Sequence, residues 1–99
     1  MPPVVADLVD RALAAFDALS DTAEPIADEY QYVADLGTVW RARLQAASEA
    51  RGTQPAPEGA VRAIEALAAE AASITDPHQA IDWLSTVPQV VLLALGEAP

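Results

Sequence analysis

Between Pro77 and Leu95 apolar side chains cover far more of a helix surface than one packed face needs. At about 100° per residue, Ile81, Leu84, Val87, Val91, Leu92 and Leu95 form one face. Trp83, Val90 and Ala94 widen it to an arc of roughly 200°, about twice the stripe of an ordinary surface helix. A rod of this kind has to be covered on two sides, either by its own chain or by a second molecule. That requirement restricts the chain to architectures with an enclosed helix or to an associating one.

The rest of the chain reads the same way. Alanine, the strongest helix former, makes up about a quarter of it, and the β-branched and aromatic residues never alternate with polar ones. At 99 residues there is room for one domain. The expected class is all-α: a four-helix bundle or an orthogonal four-helix array built from two antiparallel helical hairpins, one domain over residues 1–99, with a hinge loop at about 52–57.

A first helix from about Pro3 to Leu19 is amphipathic, with Val5, Leu8, Val9, Ala12, Leu13, Phe16 and Leu19 on one face. Asp7 and Arg11, four apart, are placed to pair on the other. Ser20 to Pro25 reads as a connection, with Asp21 and Glu24 at capping-box spacing and Pro25 in a first turn. A second helix then continues to about Arg51 around Ile26, Val33, Leu36, Trp40, Leu44 and Ala47. It is longer than its neighbours, so either its end projects or it bends at Gly37-Thr38. Gly52 and the prolines 55 and 57 end it in what reads as a flexible loop. A third helix, about Glu58 to Ile74, is rich in alanine and suited to close approach. Asp76 as N-cap, Pro77 at the first helical position and Gln79 open the fourth.

Fifteen acidic and five basic residues, all of the latter arginine, give a net charge of −10. Such a surface repels phosphate backbones and anionic membranes, so neither nucleic acid nor a membrane is expected as a partner. A basic protein partner is compatible with it. Cysteine is absent, which removes disulfides, thiol nucleophiles and thiolate metal sites. The first residues carry no basic n-region or apolar h-region, and a cytoplasmic location is the default expectation.

Chemistry-bearing residues do not converge. His78 is the single histidine, and with Asp82 it supplies two metal ligands at most. Asp28 and Asp35, with Glu24 near their line, share one side of a continuous second helix, but a metal-dependent helical enzyme would need a facing carboxylate cluster that the chain lacks. Glu29 falls within the apolar arc of that helix. Burying it would be costly without a partner such as Arg43 of a neighbouring chain, and a wet first turn is the simpler reading. No catalytic residue, metal site or cofactor is therefore expected.

What remains is association. Tryptophan and tyrosine off the central seams often mark contact surfaces, and Leu93 interrupts the polar strip of the last helix. The expected function is a small acidic protein-interaction module, a homodimer in contact through Trp83, Val90, Leu93 and Tyr32. The alternatives are a ligand-binding or metal-dependent bundle using the Asp28 and Asp35 stripe, and an acidic partner of a basic protein.

Overall fold

A computed structural model describes residues 3–96. The elements are helix α1 (Val5–Ala23), a 3-10 segment (Glu24–Tyr30), α2 (Gln31–Arg51), α3 (Glu58–Ser73) and α4 (Pro77–Ala94). Among the described residues there is no strand, only an isolated bridge between Val4 and Pro55. The molecule is all-helical, with helices packed on one another in a body 40 × 24 × 17 Å in extent.

Asp7 opens α1 by accepting a hydrogen bond from the Val4 N–H at 3.2 Å, a carboxylate at the positive end of the helix. The helix does not stop at Leu19. Ser20 Oγ donates to the Phe16 carbonyl at 2.9 Å and Thr22 Oγ1 to that of Ala18 at 3.1 Å, so these hydroxyls turn back onto α1 instead of capping a new helix. Pro25 then has no N–H to give to the Asp21 carbonyl. The Glu24 N–H takes that carbonyl instead, the hydrogen bond shortens to an i to i−3 spacing, and the chain continues as a 3-10 turn.

This tighter segment corrects the sequence reading of the second helix. At three residues per turn, seven residues drift by about 140° from the register of an α-helix, and Tyr30 breaks the helix outright with φ −132° and ψ 51°. The bend therefore lies at Tyr30 and not at Gly37-Thr38. Glu29, which the wheel places in the apolar arc, is exposed, in line with the wet first turn that is the simpler expectation.

α2 returns antiparallel to α1, with Gly37 against Phe16, Arg41 paired to Asp17 and Gly52 beside Ala6. Gly37 is buried, and a Cβ there would lie 2.9 Å from Phe16 Cζ. The glycine serves close approach between the two helices. Arg11 reaches Glu65 of α3 at 2.9 Å, in place of the expected pairing with Asp7. Both ends of that bridge are about half exposed, so it orients the helices more than it stabilises them.

The loop after α2 is anchored. The Val5 N–H donates to the Gln54 carbonyl at 3.0 Å, the Ala6 N–H to Gly52 at 3.1 Å and the Ala56 N–H to Pro3 at 2.9 Å. Ala56 is itself buried. Residues 52–57, the expected hinge loop, are held against the start of α1 by these backbone hydrogen bonds. Asp76 does cap α4 as its spacing predicts, accepting from the Gln79 N–H at 3.1 Å with Pro77 next in line.

α4 packs against α1, α2, α3 and the 3-10 segment. Its wide apolar arc is covered largely from within the chain: Ala80, Ile81, Trp83, Leu84, Pro88, Val91 and Leu92 are all buried. At its end Gly96 adopts φ 84°, a conformation that glycine reaches without strain, and Arg51 donates to the Leu95 carbonyl at 2.9 Å. One apolar cluster gathers around Leu8, Leu44, Ile64 and Leu92, another around Phe16, Leu19, Ile81 and Trp83. Trp40 and Val87 pack against both and join them.

Candidate functional site

The 3-10 segment splays the junction of α1 and α2 enough to leave a cleft of about 290 Å³ between them and α4. Its walls are Phe16, Ala23, Val33, Gly37, Ile81 and Leu84, and Ser20, Tyr30, Thr38 and Arg41 bring polar groups to it. The small residues Ala23, Ala27, Ala34 and Gly37 leave the space that larger side chains would fill. Arg41 pairs with Asp17, and its guanidinium carbon stands 5.4 Å from the centre of the Phe16 ring. The Ser20 and Thr38 hydroxyls donate to backbone carbonyls of their own helices and keep acceptor lone pairs. This is an apolar recess with a few polar groups, the usual make-up of a small-molecule site. It has no arrangement of nucleophile, base and oxyanion donors.

The residues expected at an interface separate into two groups. Trp83 is only 4% exposed, sheltered by its own chain, so the expectation that it faces a partner is corrected. On the wheel it stands off the central seam, but α3 and α1 both pack against α4 and their side chains close over it. Tyr32, Val90 and Leu93 are exposed, at 54%, 47% and 52%. Val39 joins them at 52%, a residue that sequence reasoning passed over. Its signal was present: it lies seven residues, two helical turns, after Tyr32.

Comparison with protein-family models, curated proteins and solved structures finds no match. The site must therefore be read from its own residues. Among the described residues no three His, Cys, Asp or Glu side chains come together to hold a metal. Asp28 lies in the 3-10 segment and Asp35 in α2, so the change of helical register between them dissolves the single stripe expected from the sequence. His78 and Asp82 are exposed in the first turns of α4. No helix among the described residues is long and apolar enough to cross a membrane.

The two indole nitrogens are the remaining anomaly. Trp40 Nε1 and Trp83 Nε1 are both buried without a hydrogen-bond acceptor. Leaving a buried donor unpaired costs about 1–3 kcal/mol. The Arg43 guanidinium carbon lies 5.6 Å from the centre of the Trp40 ring, a contact with the π face that gives the N–H no acceptor.

Proposed function

We propose that this chain is a small acidic module that works by protein association, and that its partner is a second copy of itself. We read its architecture as a four-helix bundle of two antiparallel hairpins, an arrangement whose helices expose long outer flanks. The observation that carries the reading is the pair Tyr32 and Val39, two large apolar side chains each more than half exposed and aligned along one side of α2. Val90 and Leu93 give α4 a smaller patch of the same kind.

Covering a large apolar side chain is worth about 1.5–3 kcal/mol, and association costs consume much of what a few such side chains supply. The expected complex is weak. It also brings together two bodies of charge −10. Their repulsion acts over a Debye length of about 30 Å in 0.01 M salt and about 8 Å at 0.15 M. Sedimentation equilibrium should therefore show a dimer that tightens as sodium chloride rises between those concentrations. A monomer at both, up to about 1 mM protein, where even a contact worth about 4 kcal/mol would be half formed, would remove the reading.

The cleft beside Phe16 supports a second reading, a binding site for a compact apolar molecule. The surrounding negative charge favours a neutral ligand over an anionic one. Indole or hexanol is the direct probe. Saturation to about a hundred times Kd should stabilise the fold by about 2.7 kcal/mol and raise Tm accordingly. Gly37→Ala, whose methyl would meet the Phe16 ring, should reduce that rise; an unchanged Tm with either probe would discard the cleft as a ligand site.

A further inference from the structure

We infer that the cleft beside Phe16 selects a small amphiphilic cation, a primary ammonium group carried on a short apolar tail. The inference rests on the reading of that cleft as a ligand site and goes beyond it by fixing the charge of the head group. At about 290 Å³ the recess is nearly twice the roughly 150 Å³ that suffices for benzene, so a six-carbon tail and its head fit inside.

The hydroxyls of the cleft supply the first argument. Ser20 Oγ gives its proton to the Phe16 carbonyl at 2.9 Å, and Thr38 Oγ1 gives its own to the Ala34 carbonyl at 3.1 Å. Toward a ligand both oxygens can then only accept. An ammonium group carries three donors and no acceptor, and a carboxylate is the reverse.

Charge supplies the second. The chain from Ala12 to Trp40 forms most of the cleft wall and contains Asp17, Asp21, Glu24, Asp28, Glu29 and Asp35 without one basic residue. All six carboxylates are exposed around an apolar recess, and walls of low dielectric concentrate their field there. Glu24 stands one turn beyond Ser20, and Asp35 one turn before Thr38. α4 adds Asp82 and no arginine. The cation in the lining is Arg41, and it is already matched. It pairs with Asp17, and its guanidinium carbon lies 5.4 Å from the centre of the Phe16 ring. With that charge offset, the remaining carboxylates set the sign of the recess.

Titrations of the full chain followed by amide chemical shifts test this with hexylammonium, hexanol and hexanoate, which share a tail and differ in head. An alkylamine is protonated at pH 7. In 0.01 M salt hexylammonium should bind about tenfold tighter than hexanol, and hexanoate more weakly than either. The advantage of the cation should shrink at 0.15 M, where charges beyond about 8 Å are screened. Butylammonium should bind about fifteenfold more weakly than hexylammonium, since each buried methylene contributes about fourfold. Ala34→Leu, which enlarges an exposed part of the wall, should weaken hexylammonium about tenfold, with a thermal melt to establish that the variant is folded.

If hexanol binds and hexylammonium binds no tighter, the head-group assignment is wrong while the cleft stands as a ligand site. Hexanoate as the tightest probe would mean that Arg41 leaves Asp17 for the ligand, and the assignment falls again. Equal affinities of butylammonium and hexylammonium, or a folded Ala34→Leu that binds as the wild type does, would put the cation on the acidic surface outside the cleft and overturn the inference. If none of the probes binds, the cleft reading and the inference fall together.

Discussion

Leu92→Ala is expected to lower the unfolding free energy by about 2–5 kcal/mol, whereas Leu93→Ala, one residue along the same helix, should change it by no more than about 0.5 kcal/mol. Leu92 has no exposed surface and packs in the cluster with Leu8, Leu44 and Ile64. Removing it deletes transfer free energy and leaves a cavity whose walls belong to several helices. Leu93 is half exposed, and its loss leaves water where water already was. For a domain of this length about 1 kcal/mol corresponds to a 4–8 °C shift of Tm, so Leu92→Ala should melt at least 8 °C below the wild type. Urea titrations at low protein concentration, where association does not contribute, make the comparison. Equal costs for the two leucines would mean that α4 is rotated from the position described.

Trp83 should separate volume from polarity in the same core. Trp83→Ala removes a large buried side chain, a change that ordinarily costs about 3–5 kcal/mol. The variant also deletes an indole N–H that has no acceptor, returning about 1–3 kcal/mol. The net loss should be about 2 kcal/mol, below the usual range for tryptophan. Trp83→Phe keeps most of the volume and loses the orphan donor, so its stability should lie within about 1 kcal/mol of the wild type. Trp40 remains as the fluorescence reporter in both. A Trp83→Phe loss as large as that of Trp83→Ala would show that the indole nitrogen makes a hydrogen bond that matters.

The fold class was legible because it rests on composition and period. Alanine content, the amphipathic face of α1 and the Asp76-Pro77 start of α4 depend on residues close in sequence, and each acts as its local chemistry requires. The segment from Ser20 to Tyr30 was not legible. Its serine, threonine and aspartate can cap a new helix or turn back onto the old one, and the buried contacts of Leu19 and Ala23 select the second. The residues from Glu24 to Tyr30 then left the register of α2, which separated Asp28 from Asp35, while Val33, Leu44 and Ala47 stayed on the buried face.

The candidate sites show the same division. That α4 needed cover on two sides was readable from its circumference; that its own chain supplies most of this cover was not, because Trp83 is enclosed by helices distant in sequence. Gly37 looked like a weak point along one helix and is a contact point between two. The cleft left no sequence signal, since it is made by small residues of α1 and α2 facing each other across a turn. Val39 could have been found by extending the seven-residue spacing from Tyr32.

The central position of α1 has a consequence for how the protein is made. α1 packs on α2, α3 and α4, and its main partner, α4, lies more than fifty residues further along the chain. During synthesis at about 5–20 residues per second, Leu8, Val9, Phe16 and Leu19 leave the ribosome several seconds before α4 exists to cover them. For that interval the nascent chain presents a naked greasy stripe, backed by a face that carries Asp7, Asp10 and Asp17, and like charge of that kind opposes sticking between copies.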